Sequence, residues 1–406
     1  MSAKSQVERL LAEAGVTLNG PHPYDLQVQN PAFYQKFLAK GTLGFGESYL
    51  DGDWTCLQPD WLISRLLSAR LDERIRLRPV LLWESLRAKY WNLQNRKRAH
   101  QVALEHYDLS NDFYQKLLGN SLAYTCAYWP EANTMDALAA SAEAAHLGRI
   151  DFHLKNQELT EAQLRKYDLI CRKLQLKPGM EVLEMGCGWG GFAQYAAKEH
   201  GVSVTALSIS KEQVAFAKSH WQGRPGLEFH YCDYRDPQVY NPQGKQYDRV
   251  VSIGMAEHVG PKNYRHWFEL VHRQLKPEGL FLLHTIGNEE SQTQCDPFTQ
   301  AYVFPNSVQP SLSQLAAAAE GLLVPEDLQN ISKSYYFTLL GWYLNLHHHW
   351  KEIQGFLPAS TDCERFLRHW DFYLLAGAAI SLSKTGQLFQ LVFSQRGNKL
   401  YYVGSR

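Results

Sequence analysis

A short stretch around Glu184 combines an apolar run, a carboxylate and closely spaced glycines in an order that suits a nucleotide-like ligand. Val182-Leu183-Glu184-Met185 leads directly into glycines at 186, 188, 190 and 191. This order is typical of a strand, a tight turn and a helix start, where glycines let a ligand approach the backbone and the first N–H groups lack partners. The carboxylate disfavours a phosphate and favours a cationic, hydroxyl-rich ligand such as S-adenosylmethionine.

The glycine spacing alone does not identify the ligand. Gly-x-Gly also occurs in dinucleotide-binding folds and in ordinary turns, and no Lys-Ser or Lys-Thr pair follows it as in a P-loop. His347, His348 and His349 lie on a predicted helix, where consecutive side chains point in different directions and do not easily share one metal ion. The residues therefore favour a methyl donor, and we expect no metal site.

The elements that must position this turn alternate regularly along the chain. Predicted strands at 181–185, 202–207, 227–231, 247–253 and 280–286 alternate with predicted helices at 190–199, 211–220 and 263–275. This order is typical of a doubly wound parallel sheet. Ligands bind such sheets beyond the carboxyl ends of the strands. We therefore expect one crevice to collect the residues at those ends, which are Glu184, Ser208, Asp233, Gly254 to Glu257 and His284 to Gly287.

The regions on either side are predicted to be mainly helical. Helical spacing occurs at 3–14, 31–40, 60–71 and 79–98. Gly41, Gly44, Gly46 and Gly52 predict a loop before the third of these helices, and a domain boundary is expected near residue 105. After residue 287 we expect helices at 298–304, 311–319, 334–353 and 360–380 and a last strand at 388–394. These later helices would form a lid over the crevice.

Composition argues against several classes of protein. Basic and acidic residues number 41 each, so the overall charge does not favour nucleic acid. Seven cysteines without a C-x-x-C pair argue against a disulfide framework and a zinc site. No run approaches the length of a membrane span, so we expect a cytoplasmic protein that is at most peripheral to a membrane. Residues 70–98 carry a net charge of +6, either as a solvated helix face or as a membrane-binding patch.

Several short strings resemble those of cyclopropane fatty acid synthases and the related mycolic acid cyclopropane synthases. They are His106-Tyr107-Asp108-Leu109, Tyr124-Thr125-Cys126-Ala127-Tyr128-Trp129, Met255-x-Glu257-His258-Val259-Gly260-Pro261-Lys262-Asn263-Tyr264 and Leu282-Leu283-His284-Thr285-Ile286-Gly287. Gly46-Glu47-Ser48-Tyr49-x-Asp51-Gly52 extends the resemblance to the amino-terminal part and looks like the bacterial phospholipid-modifying branch. The segment between Trp129 and Leu159 is longer than the usual link of the family.

The resemblance implies an α/β fold of the class I methyltransferases, a Rossmann-like doubly wound sheet with helical lid insertions, at residues 106–406. A smaller, mainly helical domain that docks on lipid would occupy residues 1–105. The implied reaction transfers a methylene group from S-adenosylmethionine to the cis double bond of an unsaturated acyl chain in a membrane phospholipid, which forms a cyclopropane.

Partners follow from the same resemblance. They are the unsaturated phospholipid, the inner face of the membrane as a peripheral contact and a second copy of the chain in a homodimer, but no nucleic acid. A methyl-branching fatty acyl methyltransferase, a small-molecule N-methyltransferase and a non-catalytic lipid-binding module remain alternatives.

The candidate donor-binding residues follow the strand ends and the matched strings. They are Tyr107, Tyr124, Thr125, Glu184, Gly186, Gly188, Gly190, Ser208, Gln213, Asp233 and Tyr234. By analogy with related methyltransferases, Asp233 would accept a hydrogen bond from the adenine amino group, and Tyr234 would stack on the purine. Ser210 and Gln213 also have the spacing of a helix capping box, so a purely structural role for them stays open.

The implied chemistry needs a base beside a carbocation, because ring closure removes a proton from the transferred methyl group. The family uses a bound bicarbonate ion for this step. By resemblance its site comprises the side chains of Glu257 and His284, the hydroxyl of Tyr335 and the backbone N–H groups of Cys126 and Ile286. The adjacent Tyr336 is an alternative to Tyr335. We expect Glu257 to accept the hydrogen of the ion and His284 to donate a hydrogen bond to it.

Overall fold

A mixed β-sheet occupies the centre of the carboxyl-terminal region, between residues 181 and 395. The structure is a computed structural model, and it describes residues 2–74, 94, 110–130, 152–399 and 401–406. The described strands are β1 Gln27–Val28, β2 Trp54–Thr55, β3 Glu181–Met185, β4 Ser203–Ser208, β5 Leu227–Tyr231, β6 Tyr247–Ile253, β7 Leu275–Asn288, β8 Leu323–Asn330 and β9 Gly386–Gln395. Strands β3 to β9 form a seven-stranded sheet in the order β5-β4-β3-β6-β7-β9-β8.

Helices cover both faces of this sheet and make up most of the amino-terminal region. The described helices are α1 Ala3–Glu13, α2 Ala32–Lys40, α3 Thr42–Leu50, α4 Pro59–Ser68, α5 Leu71–Arg74, α6 Asn111–Leu118, α7 Phe152–Lys173, α8 Gly191–His200, α9 Lys211–His220, α10 Pro237–Tyr240, α11 Ala256–Val259, α12 Tyr264–Gln274, α13 Pro297–Tyr302, α14 Leu312–Ala319, α15 Lys333–His348, α16 Trp350–Gln354 and α17 Cys363–Ser383. The helix predicted at 79–98 and the boundary near residue 105 lie outside the described residues, apart from Gln94.

The direction of the strands departs from the predicted all-parallel sheet at one edge. Strands β3 to β7 run parallel to one another, as predicted, but β9 runs antiparallel to both β7 and β8. The sequence analysis missed β8, because its residues Leu-Val-Pro-Glu-Asp-Leu-Gln-Asn combine a proline with two carboxylates. Such a composition is tolerated at the edge of a sheet, which is where β8 lies.

The loop predicted at Gly41 to Gly52 is wrong, because α3 occupies Thr42–Leu50. Its glycines serve close packing. A side chain at Gly44 would overlap the carbonyl group of Lys36 in α2, and one at Gly46 would overlap the ring of Phe298. Glycine lowers the helix propensity of a segment, but here it allows two neighbouring elements to approach α3.

The amino-terminal helices share a core with the helices that follow the sheet. Phe45 lies 4.5 Å from Trp54, measured between ring centroids, and Phe298 lies 4.7 Å from Phe372 of α17. All four rings belong to one buried cluster. The amino-terminal region therefore packs directly on the elements that surround the candidate site. Among the described residues, no helix is both long and apolar enough to span a membrane.

Candidate active site

The predicted glycine turn joins β3 to α8 at the carboxyl edge of the sheet. Gly186, Gly188 and Gly190 have φ values of 86°, 54° and 83°. This left-handed region is readily accessible only to glycine. A side chain at Gly190 would also come within 2.7 Å of the ring of Phe229. The turn therefore needs glycine for both its backbone conformation and its packing.

A cavity of about 180 Å³, here named the donor cavity, opens beside this turn. Nine of the predicted donor-binding residues line it, which are Tyr124, Thr125, Glu184, Gly186, Gly188, Ser208, Gln213, Asp233 and Tyr234. Gly190 shapes the turn but is not among the lining residues, and Tyr107 lies outside the described residues. The structure thus brings together residues from the ends of β3, β4 and β5 and from the segment before α7.

Glu184, which lines the donor cavity, interacts electrostatically with a buried lysine that was not predicted from the sequence. Lys166 of α7 is 0% exposed and donates hydrogen bonds to Thr125 Oγ1 at 2.8 Å and to Gln163 Oε1 at 2.7 Å. Burial lowers the pKa of Lys166 to about 7 and raises the pKa of Glu184 to about 8. The negative charge of Glu184 counteracts the first shift, and the positive charge of Lys166 counteracts the second. Lys166 therefore donates a hydrogen bond to Thr125 and attracts the carboxylate of Glu184.

The polar residues at and after the end of β4 form hydrogen bonds with one another. Ser208 Oγ donates to Gln213 Oε1 at 3.0 Å and accepts from the backbone N–H of Ser210 at 3.1 Å. Ser210 caps α9 by accepting from the N–H of Gln213 at 3.3 Å. The structural role left open for Ser210 is therefore present, while the side chain of Gln213 turns to Ser208 instead of completing a capping box.

The carboxylate of Asp233 is held by a neighbour in sequence. Arg235 donates from Nη2 to Asp233 Oδ2 at 2.6 Å and from Nε to Oδ1 at 2.8 Å. This bidentate pair, together with the hydrogen bond that Oδ1 accepts from the backbone N–H of Arg235 at 2.9 Å, fixes the plane of the carboxylate. Sequence reasoning missed Arg235, although its position two residues after Asp233 in a turn was a usable signal.

A second cavity, here named the apolar cavity, adjoins the donor cavity and has a volume of about 150 Å³. Tyr124, Thr125, Gly254 and His258 line both cavities. Most of the remaining wall of the apolar cavity is hydrophobic, with Phe298, Val303, Phe304, Leu339, Ala376 and Ile380 among its members. A ligand in the donor cavity and an apolar ligand in the second one would therefore meet at these shared residues.

The five predicted anion-site residues all line the apolar cavity. They are Cys126, Glu257, His284, Ile286 and Tyr335. The N–H of Ile286, predicted to bind the anion, donates to Glu257 Oε1 at 2.6 Å. Tyr335 lines the cavity, whereas the hydroxyl of Tyr336 donates to Asp60 at 2.8 Å. The structure thus brings five residues from four segments together and separates the two tyrosines.

Two atoms at this end of the cavity are buried without a hydrogen-bond partner among the described residues. They are Glu257 Oε2 and His284 Nε2. Burial raises the pKa of Glu257 to about 7. Burial, with Lys166 and Lys173 as further causes, lowers the pKa of His284 well below its usual value. A small polar ligand with both a donor and an acceptor fits this pair, since buried polar groups are normally hydrogen-bonded.

The thiol of Cys126 is not prepared for nucleophilic attack. Burial raises its pKa to about 12, so the thiol stays protonated near neutral pH. This agrees with the prediction that Cys126 contributes through its backbone. His258, which sequence reasoning did not single out, has a pKa that burial lowers to about 4, and its neutral ring lies at the junction of the two cavities.

Comparisons with known proteins agree with this arrangement of the site. The family model described as mycolic acid cyclopropane synthetase matches residues 94–391. The chain is 41% identical over 389 residues to the cyclopropane-fatty-acyl-phospholipid synthase of Escherichia coli (strain K12), with 95% of this chain and 92% of that protein covered. It is 32% identical over 299 residues to a probable fatty acid methyltransferase of Pseudomonas putida, covering 71% and 67% of the two chains.

Solved structures resemble the chain over most of its length. A mycolic acid cyclopropane synthase complexed with SAH and CTAB has a TM-score of 0.59 and 25% identity, covering 73% of this chain and 98% of its own. Coclaurine N-methyltransferase has a TM-score of 0.62 at 18% identity, covering 86% and 98%, which shows the fold alone. The predicted class I methyltransferase fold is therefore confirmed. The extent of the family match and the identity to the bacterial synthase together show that the chain belongs to the mycolic acid cyclopropane synthetase family.

Proposed function

We propose that this protein transfers a methylene group from S-adenosylmethionine to the cis double bond of an unsaturated acyl chain in a phospholipid. The observation that carries the proposal is the junction of the two cavities. A polar cavity beside the glycine turn meets an apolar one at Tyr124, Thr125, Gly254 and His258. The name of the Escherichia coli relative, cyclopropane-fatty-acyl-phospholipid synthase, supports the choice of substrate.

The reaction requires one bond to break at sulfur and two to form at carbon. The alkene attacks the sulfonium methyl group, and S-adenosylhomocysteine leaves with the electron pair of the broken carbon–sulfur bond. The resulting carbocation closes to a three-membered ring when a proton leaves the new methyl group. The apolar wall around Leu339 and Ile380 excludes water, which would otherwise trap the cation.

We infer that Glu257, His284, Tyr335 and the backbone N–H of Cys126 hold a bicarbonate ion, and that Ile286, whose N–H donates to Glu257, orients that carboxylate. The two unpartnered atoms, Glu257 Oε2 and His284 Nε2, support this inference because they offer one acceptor and one donor to the same small ligand. When bound, bicarbonate supplies a base for the methyl proton. Glu257 would accept the hydrogen of the ion and so orient its free oxygens, while His284 would donate to one of them.

For the donor we propose that Glu184 faces its positively charged methionine part and that Asp233 accepts from its adenine amino group. The buried position of Glu184 beside the glycine turn and the fixed carboxylate of Asp233 support these roles. Burial strengthens the attraction between a carboxylate and a cationic ligand, because the local dielectric constant is low.

We further infer that the amino-terminal region docks the enzyme on the inner face of the membrane, since phospholipid acyl chains reside there. The net charge of +6 on residues 70–98 supports contact with anionic headgroups. Those residues, apart from 70–74 and Gln94, lie outside the described part of the chain.

The product of the reaction tests the proposal directly. We expect purified protein, given S-adenosylmethionine with a fully deuterated methyl group and vesicles of a cis-monounsaturated phospholipid, to form a cyclopropane acyl chain that retains two of the three deuterium atoms. Mass spectrometry after methanolysis measures this. A methyl-branched product would support the fatty acid methyltransferase alternative, and the absence of lipid product despite donor binding would support a small-molecule methyltransferase or a binding module.

Turnover should depend on pH through Glu257. Burial raises its pKa from 4.5 to about 7, so the carboxylate that accepts the hydrogen of the ion is present only above that pH. We expect kcat, at saturating donor and a fixed concentration of bicarbonate ion, to fall by about tenfold per pH unit below about pH 7. A stopped assay from pH 8 to pH 5.5 measures this, and a flat profile would contradict the role of the ionised carboxylate.

A further inference from the structure

His284 faces a buried glutamine that neither the sequence analysis nor the family resemblance singled out. β7 and β9 are antiparallel, and His284 lies directly opposite Gln390 in their register. The side-chain amide nitrogen of Gln390 lies 3.3 Å from His284 Nδ1. The two residues are 1% and 0% exposed, so solvent does not compete for this contact.

This contact determines which ring nitrogen of His284 carries the hydrogen. A side-chain amide nitrogen donates hydrogen bonds and cannot accept them, so His284 Nδ1 must offer its lone pair. In a neutral imidazole the hydrogen then resides on Nε2. That atom is buried and has no hydrogen-bond partner among the described residues, and His284 lines the apolar cavity.

We propose that Gln390 is a positioning residue that holds His284 in the neutral Nε2–H tautomer, so that its free N–H serves as a donor in the apolar cavity. The inference rests on the proposed function in one respect only, namely that the group receiving this hydrogen bond is the bicarbonate ion. The tautomer itself is a property of the protein without any ligand.

The tautomer matters because the two forms of the ring offer opposite chemistry. An Nε2–H group attracts an anionic oxygen, whereas a bare Nε2 lone pair would repel it and would itself compete as a base or nucleophile near the sulfonium methyl group. The neutral state is also favoured by the surroundings, since burial is the main cause that lowers the pKa of His284. Gln390 thus selects the single form of the ring that can stabilise an anion.

The opposite orientation of the amide of Gln390 defines the competing arrangement. Its Oε1 is buried without a partner among the described residues. Were this oxygen to face His284 Nδ1, the ring would have to donate from Nδ1, and Nε2 would present a lone pair to the cavity. The two arrangements therefore differ by a measurable property, the nitrogen of His284 that bears the hydrogen.

Nitrogen-15 NMR of histidine-labelled full-length protein tests the proposal. The signals of His284 are assigned by their loss in His284→Asn, and we expect the wild type to show a protonated Nε2 and an unprotonated Nδ1. In Gln390→Glu a carboxylate oxygen replaces the amide nitrogen, and we expect the hydrogen to move to Nδ1, which leaves Nε2 without a hydrogen to donate. Wild-type protein with the hydrogen on Nδ1 of His284 would overturn the proposal.

Kinetics provide a second readout that a merely structural role would not reproduce. We expect Gln390→Glu to raise the bicarbonate concentration for half-maximal turnover by roughly 10- to 100-fold, the effect of one lost hydrogen bond to a charged group, with KM for S-adenosylmethionine unchanged. Gln390→Met keeps the length of the side chain but removes its amide, so it serves if the glutamate variant does not fold. It should show a weaker shift in the same direction.

Ser394→Ala is the matched control for a buried hydrogen bond lost from the same strand. Ser394 lies on β9 four residues from Gln390, and its hydroxyl donates to Glu326 at 2.6 Å, away from both cavities. We expect this variant to leave the bicarbonate dependence unchanged. An equal shift in Ser394→Ala would overturn the specific role of Gln390. If NMR shows the predicted tautomer but turnover does not depend on the bicarbonate concentration, the inference about Gln390 stands. The bicarbonate part of the proposed function is then wrong.

Discussion

Glu257→Gln is expected to lower kcat by roughly 100-fold or more while KM for S-adenosylmethionine changes by less than about twofold. The amide keeps the size of the side chain and can still accept the N–H of Ile286 through its oxygen. It replaces the unpartnered Oε2 with an NH₂ group, which cannot accept the hydrogen of a bicarbonate ion. Steady-state kinetics with saturating vesicles and varied donor measure both parameters.

Glu278→Gln is the matched control for this substitution, because Glu278 is exposed and lies far along β7 from the apolar cavity. It should leave both parameters unchanged. Donor binding by Glu257→Gln, measured by calorimetry, should equal that of the wild type, since Glu257 does not line the donor cavity. Wild-type turnover in Glu257→Gln would remove this residue from the reaction.

Ala376→Phe is expected to reduce cyclopropanation of long acyl chains by roughly 100-fold, because the acyl chain would lose most of its hydrophobic contact with the cavity wall. Ala376 of α17 lines the apolar cavity, whose volume is about 150 Å³. A phenyl ring would fill much of that space. Product formation from vesicles of defined acyl length measures the effect.

Ala376→Val provides a graded comparison, with a smaller loss and a shift towards shorter or more flexible chains. Affinity for S-adenosylmethionine should be retained in both variants, because Ala376 is not among the residues of the donor cavity. Unchanged turnover of long chains by Ala376→Phe would show that the acyl chain binds elsewhere.

Much of the catalytic fold could be predicted from periodicity. The predicted strands at 181–185, 202–207, 227–231 and 247–253 match β3 to β6 within a residue or two. Apolar runs bounded by glycines and polar turns are strong signals for buried parallel strands. The errors lie where packing overrides local preference, as in α3 with its glycines and in β8 with its proline.

The candidate site was predictable only in part, and mainly through the resemblance. Glu257 and His284 belong to matched strings, and the structure places them in one cavity as expected. Lys166 and Gln390 were not predicted, because nothing in their local sequence shows that they are buried against functional groups, and Arg235 was overlooked although it follows Asp233 by two residues. A lysine in a polar stretch of helix, for example, is usually exposed.

The sequence by itself determined the family, the parallel part of the sheet and the glycine turn, because strand and helix periodicities and the freedom of glycine are local properties of the chain. Only the tertiary structure decided that Tyr335 and not Tyr336 reaches the cavity, that Ile286 supports Glu257, and that Gln390 faces His284. The last two contacts join residues 29 and 106 positions apart. The register of distant strands and the rotation of helices bring such pairs together, and both depend on how the whole core packs.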